Sequence, residues 1–344
     1  MMKTAWTVLA LAVLAGCGDD DDVAVDGARP DAALPDSARP DAALPDSALA
    51  DAAPGRDGAP PLVVDHGLAD AKGRTRYVFD SLNVPDRASE NDFLGFDLDN
   101  DSRHFIDNKL GSILQLIAAN SGAPVDAQAR NDAAVLGGQI IHLAQLRSTS
   151  FGTEDDVVFQ LFLGEDADAN PGNNLGGAGT FTLAAVSPVN ARQYGHLTTG
   201  VFSSVEPGTA TVTLSLGVGG PLMFPLVAVQ LRATVSPTGV TNARLGGGVT
   251  KAEMMANILP RWFQQLTQIV TTAPSSAEAM AIKNLFDTNR DGTMTQNEFD
   301  ASNTVQTMLS PDVDLLDASG ELGQDGIKES ISLGLGFSAV PASF

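Results

Sequence analysis

Apolar and polar positions along this chain change period several times, and each change marks a boundary. Ala5–Ala15 is apolar apart from Thr7 and follows the positive Lys3. The run is too short for a comfortable membrane-spanning helix of about 20 residues, so it predicts an export signal that is removed. From Gly18 to Val64 there is no hydrophobic period. The decapeptide ARPDAALPDS occurs at Ala28–Ser37 and again at Ala38–Ser47, and a decayed copy follows. Leu110, Ile113, Leu114 and Ile117 then lie at i, i+3, i+4 and i+7, which predicts a short amphipathic helix.

Between about Gln139 and Thr250 the pattern becomes that of strands. Val157–Leu163, Thr180–Leu183, Thr209–Leu216 and Leu222–Val235 are β-rich, the last interrupted by Pro225. Glu206-Pro207-Gly208 and Ser236-Pro237-Thr238-Gly239 supply turns. Strands that follow one another without intervening helices predict an antiparallel sandwich or barrel. The helical period then returns. Thr250 and Glu253 form a capping box with Val249 and Met254 placed for a staple, and Met255, Ile258, Leu259, Trp262, Phe263, Leu266 and Ile269 continue one face past a kink at Pro260. The glycines Gly246-Gly247-Gly248 lack the Lys-Ser/Thr of a phosphate loop and are expected to make a tight strand-to-helix turn. The expected class is α+β: an antiparallel β-sandwich or barrel-like core with packed amphipathic helices and a C-terminal helix-loop-helix.

Composition sharpens the boundaries. Residues 18–64 hold eleven Asp, seven Pro and no aromatic residue, too little apolar surface to offset chain entropy. That stretch is expected to be a disordered, extended tether, with a reach on the order of 140 Å at about 3.1 Å per residue. The whole chain carries a formal charge of −22. Such a surface repels nucleic acid and attracts divalent cations.

Leu14-Ala15-Gly16-Cys17 resembles the lipobox of bacterial lipoproteins. The resemblance implies cleavage before Cys17, acylation of that residue and a lipid anchor in the cell envelope, at the outer membrane or cell surface. Cys17 is the one cysteine, so no internal disulfide is available in an oxidising compartment.

Asp287-Thr288-Asn289-Arg290-Asp291-Gly292-Thr293-Met294-Thr295-Gln296-Asn297-Glu298 has oxygen-bearing residues at the spacing that lets twelve residues wrap one calcium ion in six to eight oxygens. It resembles an EF-hand loop. The resemblance implies side-chain ligands from Asp287, Asn289 and Asp291, the backbone carbonyl of Thr293, a contribution from Thr295, bidentate closure by Glu298 and a sharp turn at Gly292. Ser275 and Glu278 are expected to cap the preceding helix, whose face is Ile282, Leu285 and Phe286. Phe299, Val305, Met308 and Leu309 form that of the following one.

Asp97-Leu98-Asp99-Asn100-Asp101 with Asp107, and Asp312-Val313-Asp314 with Asp325-Gly326-Ile327-Lys328-Glu329, are two weaker aspartate patterns. They resemble thrombospondin-type-3 calcium loops and are the second and third candidate metal sites. In the first, Ser102 stands where glycine is expected; the second contains an insertion. Asp107 has an alternative role as cap of the helix after it. The order of these parts from about Arg74 to Phe344 resembles calcium-motif lipoproteins of Gram-negative bacteria. His66, His104, His142 and His196 show no zinc spacing, and no catalytic motif is visible.

The expected organisation is a signal at 1–16, a lipidated tether at 17–64, a mixed helix and β body at 65–274, an EF-hand at 275–310, and an Asp-rich loop with a C-terminal strand at 311–344. The expected function is that of a membrane-anchored surface lipoprotein in which calcium stabilises the fold for a structural or binding role. The alternative is a calcium-dependent hydrolase acting on envelope or extracellular polymers.

Overall fold

Apolar-rich segments, alternating in some and buried on both faces in β2, β3 and β10, build ten strands: β1 Arg74–Asn83, β2 His142–Arg147, β3 Glu154–Asp166, β4 Phe181–Leu183, β5 Arg192–Thr198, β6 Val201–Ser204, β7 Gly208–Leu214, β8 Leu222–Ser236, β9 Gly239–Thr250 and β10 Ser330–Pro341. The computed structural model describes residues 67–85, 88–101, 106–122 and 125–344. The signal, Cys17, the tether, His66 and His104 lie outside the described residues. Among those described, no helix is long and apolar enough to cross a membrane. The protein combines helices with one large antiparallel sheet.

All pairings between these strands are antiparallel, and β2 meets both β1 and β3. The order β1–β2–β3–β5–β6–β8–β9–β10 therefore returns to β1. Each strand in this ring is next to its neighbour in chain order, apart from β4 on β3 and β7 on β8. Closing a sheet on itself removes the free edges that would recruit other strands. Phe79, Phe159, Phe202 and Phe337 fill the interior. Phe79 stacks on Phe337 with centroids 4.0 Å apart. Phe159 and Phe337 come from strands that are not neighbours, so their contact at 6.4 Å crosses the lumen.

One mouth of the ring is plugged. β7 leaves β8 and reaches β2, four strands away in either direction, where the Thr213 N–H donates to His142 Nε2 (2.8 Å). Burial holds the His142 imidazole down at about 4, so it stays neutral and can accept that bond. Ala210, Val212 and Leu214 of β7 point into the core with Leu216 and Val218 beyond. Pro225 does not interrupt β8 as expected. It faces β7 on one side, and pairing to β9 on the other begins only at Val227, so its missing N–H leaves no gap in the ladder.

The helices are α1 Gly67–Asp70, α2 Ala88–Leu94, α3 Lys109–Asn120, α4 Ala127–Leu136, α5 Lys251–Glu253, α6 Leu259–Thr272, α7 Ala277–Phe286, α8 Gln296–Ala301 and α9 Asn303–Met308. Leu110, Ile113, Leu114 and Ile117 are the buried face of α3 as their spacing predicts, and Thr250 caps α5 by accepting from Glu253 N–H. Three local expectations change. Met255 is 55 % exposed, because a π turn at Met254–Ile258 adds a residue and rotates the stripe so that Met254 faces inward. The cap of α7 is Ser276 rather than Ser275, and Glu278 turns away to accept from Gly219 N–H (3.1 Å). The apolar face after the twelve-residue loop is split at Ser302, which leaves α8 and caps α9.

The helical layer covers the plugged mouth. Trp262 of α6, fully buried, donates from Nε1 to Val218 O (3.1 Å) and meets Phe286 and Phe299 edge-on. Asn131 of α4 pairs with both backbone groups of Ser215.

Candidate metal centres

The loop between α7 and α8 is organised around its acidic side chains. Asp287 Oδ2 accepts from Gly292 N–H (2.9 Å) and its Oδ1 from Asp291 N–H (3.2 Å). Asn289 Oδ1 accepts from Asp291 N–H (2.8 Å), and Asp291 Oδ1 from Thr293 N–H (2.8 Å). Glu298 reaches back across the loop, accepting from Asn289 N–H (3.2 Å), Thr295 N–H (3.0 Å) and Thr295 Oγ1 (2.7 Å). Thr295 and Glu298 form a reciprocal capping box on α8. Arg290 and Gly292 take left-handed backbone, with φ of 59° and 90°, and the chain turns back so that Glu298 reaches Asn289 N–H, two residues from Asp287. The hydrogen bonds hold two carboxyls below their usual range, from Thr293 above all at Asp291 and from Thr295 at Glu298. All six candidate residues, Asp287, Asn289, Asp291, Thr293, Thr295 and Glu298, line this loop. Met294 is buried beneath it.

The two aspartate loops, more than two hundred residues apart in sequence, share one wall of the barrel. Gly246-Gly247-Gly248 lie within β9, not at its exit. A Cβ at Gly246 would come within 2.6 Å of Phe96, and one at Gly248 within 2.4 Å of Leu315. These glycines let both loops lie flat on the sheet. On β10, Gly334 exchanges two hydrogen bonds with the Asn108 side chain, 2.9 Å at its N–H and 3.1 Å at its carbonyl. Leu98, Ala228, Val313 and Leu315 seal the contact.

In the first of these loops Asp97, Asp99 and Asp107 each bring a ligand atom within 4.8 Å of the others. Asp107 does not cap α3; that place belongs to Asn108, and Asp107 Oδ2 accepts from Leu98 N–H (2.7 Å). Burial pushes the Asp107 carboxyl up to about 6, against the Leu98 hydrogen bond and helped by the charges of Asp99, Asp312 and Asp97. Asp101 stands apart from the trio; its N–H donates to Asp99 Oδ1 (3.0 Å).

In the second loop the insertion folds into a closed turn around Asp317, which accepts from Ser319 N–H (2.8 Å). This brings Asp314 to Asp325 and Gly326. Asp314 Oδ2 accepts from Gly326 N–H (2.7 Å) and Asp325 Oδ1 from Ile327 N–H (2.9 Å), the same pattern that links Asp287 to Gly292 and Asp291 to Thr293. Gly326 has φ of 89°. Glu329 accepts from Leu315 N–H (3.2 Å). Asp312 turns to Ser332 of β10, whose N–H donates at 2.9 Å, and burial raises its carboxyl.

Two residues that the sequence did not single out join the loops. Lys328 Nζ lies 3.6 Å from Asp99 Oδ2 and donates to Asp312 O (2.5 Å). The Gln324 side chain donates to Asp99 O. Gln324 lies outside the acidic pattern and Lys328 stands in it only as a residue between acids, so nothing local singles out either one. Carboxylates on left-handed turns, without imidazole or thiolate, are hard oxygen donors of the kind calcium takes. No known protein family, curated protein or solved structure matches the chain.

Proposed function

We propose that this chain is a membrane-anchored, calcium-binding surface lipoprotein, lipidated at Cys17, in which Ca2+ stabilises a β-barrel body with a structural or binding role. The observation that carries the reading is the loop Asp287–Glu298: its first and last residues are 8 % and 9 % exposed, and Glu298 folds back across two left-handed residues to accept from Asn289 N–H. Asp287, Asn289, Asp291 and Glu298 would supply side-chain oxygens to one calcium ion, with Thr293 and Thr295 completing the shell, as in an EF-hand. Asp97, Asp99 and Asp107 would hold a second ion. Asp314, Asp325 and Glu329, with Asp312 beside them, would hold a third. The filled lumen, crossed by Phe159 and Phe337, favours the structural or binding role over a hydrolase working inside the barrel. Lipid on Cys17 would hold the protein at the outer membrane or cell surface, with several acyl chains contributing about 0.8 kcal/mol per buried CH₂.

Cell fractionation with labelled palmitate tests the anchor. Cys17→Ser is expected to lose the label and move from the membrane to the soluble fraction; a variant that stays labelled ends the lipoprotein reading.

The raised Asp107 carboxyl makes the second site dependent on pH. Its folded-state value, about 6 against an ordinary 3.8, means that the metal-free fold gains from this group at low pH. That gain is lost as pH rises through about 6. Calcium must displace the proton, so affinity at this site is expected to fall roughly tenfold per pH unit below about 6 and to level off above it. Calorimetric titrations at pH 7.5 and 5.5, in buffers of different ionisation enthalpy, read both the affinity and the proton released. An affinity that does not change with pH would remove Asp107 from the ligand set.

A further inference from the structure

Tyr77 of β1, Ala144 and Leu146 of β2, Phe159 of β3 and Leu197 of β5 belong to the barrel interior, so the alternate positions on these strands face outward. The strand registers line those positions up in two rows. One runs Arg74, Arg147, Val158, Tyr194, and the other Arg76, Gln145, Gln160, Arg192. Four guanidiniums therefore share one outer wall of a chain whose formal charge is −22.

The wall is not neutralised by its own pairing. Arg74 is exposed and stands directly opposite Arg147, and like charges facing each other across strands repel. Arg147 is 8 % exposed, with Nη2 3.5 Å from Gln160 Oε1. Arg76 rests its guanidinium on the Phe344 ring, 4.9 Å from the centroid, and its buried Nε has no hydrogen-bond partner. An uncharged ring and a second arginine leave these cations uncompensated; an anion lying over the wall would compensate them. From Arg76 to Arg192 is three strand spacings of about 4.8 Å. One carboxylate or phosphate cannot reach both ends, so the wall suits a ligand whose charges repeat along its length. At β5 it runs into an open cleft lined by Asn190, Arg192, Tyr194, Glu206 and Thr209, where Arg192 Nη1 donates to the Tyr194 hydroxyl (3.3 Å). An amide, hydroxyls and a carboxylate beside an arginine suit hydroxyl groups as well as acids. Glu206 also disfavours a polymer with a phosphate at every unit.

We infer that this wall binds an acidic polysaccharide, with Arg74, Arg76 and Arg192 taking its carboxylates, Arg147 adding charge opposite Arg74, and Asn190, Tyr194 and Glu206 taking its hydroxyls. Arginine is the side chain whose fork matches a carboxylate with two parallel hydrogen bonds. The inference gives a ligand class to the binding role proposed for the body, and it rests on neither calcium nor the lipid anchor.

The test is calorimetric titration of the full chain with short polygalacturonate chains, in chelator so that calcium cannot bridge acid to acid. Arg74→Gln/Arg76→Gln is expected to bind at least about tenfold more weakly than the parent, as the loss of charge-assisted pairs demands. Arg261→Gln, which removes an exposed arginine of α6, is expected to bind like the parent. The methyl-esterified polymer, with the same rings and no charge, is expected to bind as weakly as the double variant. Because Arg76 touches Phe344, backbone amide resonances are followed in the unsubstituted chain as well, and those of Arg74, Arg76, Arg147, Arg192 and Tyr194 are expected to shift together. Unchanged affinity in the double variant, no binding at millimolar sugar units, or shifts centred elsewhere would overturn the site. Equal or tighter binding of double-stranded DNA at the same arginines would overturn the saccharide as the ligand. None of these outcomes bears on the calcium loops, which titration with calcium chloride reads separately.

Discussion

Glu298→Gln should abolish the calcium-dependent part of the protein's stability contributed by the loop at Asp287–Glu298 while leaving the metal-free protein almost unchanged. The side chain has two roles that the substitution separates. As the third residue of α8 it accepts from Thr295 in the capping box, and a glutamine amide can keep that contact. As the twelfth residue of the loop it would supply two anionic oxygens to the ion, and a glutamine can supply one neutral oxygen. A ligand that binds only the folded state stabilises it by about 2.7 kcal/mol when its concentration is 100-fold above Kd. For a body of this size that is roughly 5 °C in Tm. Scanning calorimetry with calcium and with chelator should therefore show a clear upward shift in the parent that is reduced in Glu298→Gln. Equal melting temperatures with and without calcium in the parent would refute the structural role proposed for the ion.

Local chemistry was the legible part of this chain. The twelve-residue loop needs nothing outside itself to be recognised, and the stripe of α3 and the cap at Thr250 are decided by neighbours three or four residues away. What stayed hidden depends on distant partners. Ring closure requires β10 to meet β1 and β2 to meet β3, and alternation alone does not say whether a sheet closes. Gly246 and Gly248 of β9 are explained by Phe96 and Leu315 pressing on them, and Gly247 by the approach of Leu226, Val227 and Val229 of β8. The alternative role of Asp107 as a cap falls only when Leu98 N–H is seen to hold it. The misplaced Met255 records one extra residue in a π turn.

Trp262→Ala should be the most damaging single substitution in the helical layer, and it should also weaken calcium binding from outside the loop. The indole is fully buried between Phe286, which ends α7, and Phe299, which lies inside α8, with ring centroids 5.4 Å and 5.6 Å away. Its Nε1–H donates to the Val218 carbonyl at the plugged mouth of the barrel. Truncation removes a large apolar group and leaves a cavity, at a cost of about 3–5 kcal/mol, and strips a buried carbonyl of its donor. Trp262→Phe keeps most of the volume but not the donor, so it should lose the hydrogen-bond part alone, about 1–3 kcal/mol. Both rings flanking the Asp287–Glu298 loop rest on this one side chain, so loosening it raises the cost of bringing Asp287 and Glu298 together round the proposed ion. A double-mutant cycle between Trp262→Phe and Glu298→Gln, measured by urea unfolding in calcium, should give a coupling above about 0.5 kcal/mol that disappears in chelator. Strict additivity in calcium would mean that the loop binds its ion independently of the barrel, and the ion could then not act as a clamp on the body.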